Sequence, residues 1–167
     1  LLSIINGRLT QAHRMVKLEF SNSTKKYRVN EKKLKALVNK IAALSGVGKG
    51  TLSLSFVGEK KIRNINKEFR NIDKPTNVIS FPFMDYAGKE FILGDIIISL
   101  PVAEKQAAKE GNEFHQYVAF LLIHGFLHLL GFDHIKEKDR IIMEKKEEEI
   151  FNKIDNFDFI REVSRHK

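Results

Sequence analysis

Three of the chain's six histidines fall within eleven residues, His124-Gly125-Phe126-Leu127-His128-Leu129-Leu130-Gly131-Phe132-Asp133-His134. His124 and His128 are four apart, so on a helix both imidazoles project from one face about one turn apart. Gly131 stands where that helix could end in a left-handed turn, and His134 follows at a distance that lets it return toward the first two. Burying a neutral imidazole without partners costs a few kcal/mol, and three together are poor core material. A metal ion satisfies all three at once. Three imidazoles leave one tetrahedral position open, which is the arrangement of a catalytic zinc rather than a closed structural one. Zn2+ is the expected ion; Ni2+, cobalt and copper also take imidazole ligands.

The spacing H-x-x-x-H-x-x-G-x-x-H is also that of metzincin peptidases, with one departure. Those enzymes carry Glu directly after the first histidine as general base, and here that residue is Gly125. Glycine cannot take a proton from a metal-activated water, so peptide hydrolysis of that type lacks its base. The same hydrated metal can serve attack on phosphorus, which needs positive charge where the non-bridging oxygens gain it. Arg70 can supply that charge through its planar fork. Read locally, Arg70 has an alternative in a surface ion pair with Asp73 or Glu68. Asp133, beside the third histidine, can orient an imidazole, act as a base, or cap the turn after Gly131. His13 and His115 have no comparable spacing.

The elements that must carry these residues are legible from periodicity. Glu113 to Leu130 is apolar nearly all round and predicts a central helix. Strands are expected at Val16–Phe20, Leu52–Phe56, Val78–Phe81 and within Phe91–Leu100, the third ended by Pro82 as an edge strand, and Asp85 to Lys89 reads as a turn. Helices are expected over Glu31–Leu44, behind an Asn30 cap, over Glu59–Arg70, and from Ser99 or Pro101 through Ala108. A charged helix from Lys136 to about Asn152 is expected to turn Ile141, Ile142, Ile150 and Phe151 inward. Gly48-Lys49-Gly50-Thr51 resembles a phosphate-binding loop but precedes a strand and lacks the glycine spacing, so it reads as a turn. The fold class is α+β: a single mixed β-sheet of about four strands covered by about five helices, with the three-histidine metal site at the end of the central helix.

The organisation expected is an upstream extension over 1–14 before Met15, one domain over 15–154, and a fraying tail over 155–167. Cys is absent, so disulfides and thiolate metal sites are excluded, which fits a reducing, cytoplasmic setting. The longest apolar run, Val118 to Ile123, is too short to span a bilayer. A formal net charge of +8 favours polyanionic partners, nucleic acid first.

These strings together resemble the YbeY endoribonucleases, a bacterial family of ribosomal RNA maturation factors. The resemblance is carried by the histidine string and by Asn66-x-x-Phe69-Arg70-x-x-Asp73-x-Pro75-Thr76-Asn77-Val78-Ile79-Ser80-Phe81-Pro82. Gly94-Asp95-Ile96 followed by Ile98-Ser99 adds to it. It implies a metal held by His124, His128 and His134, a functional arginine at Arg70, and cleavage of single-stranded RNA in a basic cleft. It further implies 3′-end maturation of small-subunit ribosomal RNA and ribosome quality control, with ribosomal RNA and the small ribosomal subunit as partners. The rival expectation is a non-catalytic, zinc-stabilised assembly factor that docks on ribosomal RNA. On the mechanistic side, Phe81 or Phe83 could stack a base, with core packing the plainer role.

Overall fold

The computed structural model describes residues 15–163; the expectations for 1–14, His13 among them, and for 164–167 lie outside the described residues. The elements run β1 (Val16–Asn22), β2 (Tyr27–Val29), α1 (Glu31–Leu44), β3 (Gly50–Val57), α2 (Glu59–Arg70), β4 (Val78–Ala87), β5 (Glu90–Ser99), α3 (Leu100–Glu110), α4 (Phe114–Leu129), α5 (Glu137–Phe151) and β6 (Ile160–Glu162). Four strands form one mixed sheet in the order β1-β3-β5-β4. β1, β3 and β5 are parallel, and β4 runs antiparallel to β5 at the edge. This is the α+β arrangement expected, with all five helices in place.

The helices start and stop for local reasons. Asn30 accepts a hydrogen bond from the Lys33 backbone N–H at 3.1 Å and caps α1. Leu34, Leu37, Val38 and Ile41 then bury one face of that helix. The main core lies on one face of the sheet, where Leu52, Leu54, Phe56, Ile96 and Ile98 meet α1 and α4. A smaller cluster occupies the other face, with Ile62 and Ile65 of α2 against Val57, Ile79, Phe81 and Ile97. Central α4 is apolar all round because it is enclosed by the sheet and by α3 and α5.

Three expectations need correction. β4 does not stop at Pro82 but runs to Ala87, leaving only Gly88 and Lys89 as the hairpin turn. Proline is tolerated because β4 is an edge strand, and the register shifts between Pro82 and Asp85, where Met84 takes a positive φ of 50°. In α5, Ile150 is buried and Phe151 packs on the core as expected, but Ile141 and Ile142 are exposed (54% and 49%), and Met143 and Glu147 face inward in their place. From Asp155 to Val163 the chain does not fray: Phe159 and Ile160 are buried, and β6 pairs antiparallel with β2, Val29 opposite Ile160. That ribbon is small, yet Phe159 also accepts the Asn30 backbone N–H at 2.8 Å, tying the segment after α5 to the start of α1.

Candidate metal centre

Two glycines let α4 approach the sheet. A Cβ on Gly125 would lie 2.9 Å from Ser80 Oγ and 3.1 Å from Ile96 Cγ2, so the helix packs closely on β4 and β5 there. Gly125 therefore does more than lack a base: any side chain there would have to displace Ser80 Oγ and Ile96. A Cβ on Gly94 would fall 2.2 Å from the Phe81 carbonyl oxygen and 3.0 Å from Leu129, and its φ of 140° belongs to glycine. The last turn of α4 thus sits directly on the strand pair.

The helix then ends as the spacing implied. Gly131, at φ 90°, donates its N–H to the His128 carbonyl at 3.0 Å, and Phe132 donates to the Leu127 carbonyl at 3.1 Å. This pair of bonds around a left-handed residue is the Schellman arrangement. It reverses the chain and brings His134 back over the helix. Asp133 Oδ1 accepts from the Ile135 backbone N–H at 2.6 Å, bracing the loop that carries His134.

The three imidazoles converge. One nitrogen from each of His124, His128 and His134 lies within 4.8 Å of the others, and His124 Nε2 stands 3.1 Å from His128 Nε2. Tetrahedral ligands at zinc-like bond lengths of 2.0–2.1 Å are roughly 3.3 Å apart, so the donor set and its spacing fit a single ion. Burial holds the His128 imidazole below its ordinary pKa, and the neighbouring His124 and His134 add to this; a hydrogen bond with the Phe132 backbone works the other way. The ring is thereby kept in the neutral form that binds metal.

A residue that sequence reasoning missed completes the centre. Glu147 of α5, buried at 6% exposure, places Oε1 2.6 Å from His124 Nδ1. A carboxylate accepts, so Nδ1 carries the hydrogen and Nε2 is left to face the other imidazoles. The signal was present in the spacing of Met143, Glu147 and Ile150, which is that of one helical face.

The histidines open into a cleft of about 550 Å³ whose opposite wall includes Arg70, Thr76, Asn77 and Ser80. Buried Asn66 donates to the Lys74 carbonyl at 2.8 Å, folding the loop after α2 against the helix. Asn77 donates to Gln106 Oε1 at 2.7 Å, and Tyr117 of α4 donates to the same oxygen at 3.1 Å, which fastens the wall to α3 and α4. The local alternative for Arg70 does not form. Asn71 closes α2 in a left-handed conformation, and Asp73 turns back to Arg63 (2.8 Å) and Lys67 (3.1 Å). All 21 Asp and Glu side chains lie among the described residues, and none is within ion-pair distance of Arg70. Phe81 packs in the smaller cluster, edge-on to Phe69 at 5.1 Å, whereas Phe83 is exposed. Among the described residues, no helix is long and apolar enough to cross a membrane.

Known proteins resembling this chain fall in one family. The family model described as Endoribonuclease YbeY matches residues 19–155. An Endoribonuclease YbeY of Desulforamulus reducens is 42% identical over 137 residues, covering 74% of this chain and 88% of the relative. One of Geobacillus thermodenitrificans is 38% identical over 149 residues, covering 83% and 96%. The solution structure of TM1509 from Thermotoga maritima superposes with a TM-score of 0.58 at 27% identity, covering 83% of this chain and 87% of that one. With the match spanning most of the sheet, the three histidines and the arginine wall, the chain belongs to the endoribonuclease YbeY family.

Proposed function

We propose that this protein is a metal-dependent, single-strand-specific endoribonuclease acting in 3′-end maturation of small-subunit ribosomal RNA and in ribosome quality control. The observation that carries the reading is the placement of an arginine without a carboxylate partner across one cleft from three convergent imidazoles. His124, His128 and His134 would hold the ion, with zinc the best match to an all-imidazole, open tetrahedral set. Zinc bound there supplies Lewis acidity and makes water acidic enough to act near neutral pH. The chain's own residues do the rest. Arg70 grips the scissile phosphate in two parallel hydrogen bonds and meets the charge that grows on its oxygens. Glu147 holds the His124 ring, and the wall pinned through Asn77 keeps Arg70 opposite the histidines. The net charge of +8 neutralises flanking phosphates without reading sequence. The small ribosomal subunit as partner and the cytoplasm as location belong to the same reading, supported by family membership and the absence of cysteine.

The test is cleavage of single-stranded RNA by the full chain, beside Arg70→Ala and His128→Ala, with metal content measured and casein as a control substrate. RNA should be cut. Arg70→Ala should lose cutting while retaining metal and fold, and His128→Ala should lose metal. RNA binding without cleavage, indifferent to Arg70→Ala, would leave an assembly factor instead.

A further inference from the structure

Five arginines lie among the described residues, and they divide cleanly. Arg63 and Arg140 are ion-paired with Asp73 and Glu144. Arg70 faces the metal cleft. The remaining two, Arg28 of β2 and Arg161 of β6, stand directly opposite each other in the antiparallel ribbon. Directly opposed residues share one face of a ribbon, and like charges in that position are destabilising. Both are exposed, and none of the chain's 21 carboxylate side chains comes within ion-pair distance of either. The nearest candidates are already engaged: Asp158 holds the Lys33 ammonium at 2.5 Å, and Glu162 holds that of Lys26 at 3.1 Å. Arg28, Arg161, Lys33 and Asn30 line one cavity of about 360 Å³, with Asp158 its one acidic lining residue. The fold therefore keeps two guanidinium groups in register beside a concave surface, with no Asp or Glu in ion-pair contact with either; Asp158, held by Lys33, offsets Arg161 only at longer range.

We propose that the β2–β6 ribbon is a second anchoring site for the phosphodiester backbone of single-stranded RNA, separate from the metal cleft. The proposal deepens the nuclease reading and rests on it for the identity of the polyanion. Its position supports a role in holding rather than cutting. The Tyr27 ring packs 5.3 Å from that of Phe114, at the first residue of α4, while His124 and His128 lie toward its other end. From Phe114 to His128 the helix rises about 21 Å. A strand engaging both sites must therefore be several nucleotides long, whereas a short fragment occupies the cleft alone.

The test uses the full chain and two labelled probes, single-stranded RNAs of about 16 and about 4 nucleotides, within the range of single-strand binding sites. In Arg28→Ala/Arg161→Ala, affinity for the longer RNA should fall roughly tenfold, with all sequences affected alike. The slope of log affinity against log salt should become shallower by about 1.4, the loss of two phosphate contacts at about 0.7 each. Cleavage of the short RNA should not change. The melting temperature should hold or rise, because a repulsion is removed, and Arg28→Lys/Arg161→Lys should restore most of the slope. Unchanged affinity and slope in the alanine pair, with wild-type cutting intact, would overturn the ribbon site and leave the nuclease reading standing. A melting temperature that drops with both pairs would make the arginines structural and overturn it too, as would wild-type binding to phosphatidylserine vesicles but not to RNA. Arginine-dependent binding of the longer RNA with no cutting of either probe would keep the ribbon site and sink the nuclease.

Discussion

Glu147 Oε1 lies 2.6 Å from His124 Nδ1, joining the charged helix α5 to the first of the three convergent imidazoles. The bond fixes the ring's orientation and its tautomer, so Nε2 faces the other two imidazoles, where a metal ion would need no reorganisation to bind. Carboxylates placed behind ligand histidines typically contribute 10- to 100-fold to metal affinity. Glu147→Ala should therefore weaken Zn2+ binding by roughly that factor, read by competition with a chromophoric chelator. Glu147→Gln, which still accepts through its amide oxygen, should lose less. Equal affinity in wild type and the alanine variant would remove Glu147 from the centre.

Asp73 and Arg70 are near in sequence yet separate in the fold, and the two should separate in function. Arg70→Ala should lower RNA cleavage by about 10²- to 10³-fold, the usual loss for a donor aimed at developing charge. Asp73→Ala removes a carboxylate held by Arg63 and Lys67 and should leave the cleavage rate within about threefold of wild type, as exposed ion pairs contribute little. Comparable losses in both, at equal metal content, would mean that Asp73 orients the arginine after all.

The depressed His128 pKa gives the metal-free protein a pH dependence with a definite sign. Unfolded His128 returns to its ordinary value of 6.5, above that in the folded chain. The unfolded state thus binds protons first as pH falls, and stability rises with pH wherever that is so. The contribution is intact above 6.5 and is lost as pH falls through the lowered folded value. Chelator-treated wild type should melt progressively lower below pH 6.5, and His128→Gln should have a flatter profile. Parallel profiles would show that this ring is not the source.

Gly125 carries opposing terms. Replacing glycine by alanine inside a helix is worth about 1 kcal/mol. Forcing a methyl against Ser80 Oγ and the buried Ile96 costs about 1–3 kcal/mol. Gly125→Ala should be neutral to mildly destabilising in urea, whereas Gly125→Glu should be strongly destabilised and gain no peptidase activity. A stable, casein-cutting Gly125→Glu would show that α4 can lift from β4 and β5.

How far the sequence was legible follows from how local each signal is. The histidine spacing, Gly131 and the apolar length of α4 are set within a few residues, and the structure places them as periodicity implies. Arg70 was ambiguous because its alternative partner, Asp73, is decided by the left-handed turn at Asn71 and by competition from Arg63 and Lys67. Glu147 was hidden in an acidic run, Glu147-Glu148-Glu149, where only the rotation of α5 selects the inward residue. Choosing Ile141 and Ile142 as the buried face put that rotation wrong. β2 and β6 are three residues each and show no period; their pairing depends on partners far apart in the chain.

That last pairing has a consequence for the order in which the molecule forms. Tyr27 and Glu162 are opposed across most of the chain's length, so their loop is among the slowest to close. The sheet and α4 can be assembled from nearer neighbours, but the face bearing Arg28 and Arg161 does not exist until residues 160–162 have left the ribosome and docked. A nascent chain stalled short of them would carry its histidines and Arg70 without the ribbon. If the ribbon grips RNA, the anchoring function is gained only once residues 160–162 have docked on β2.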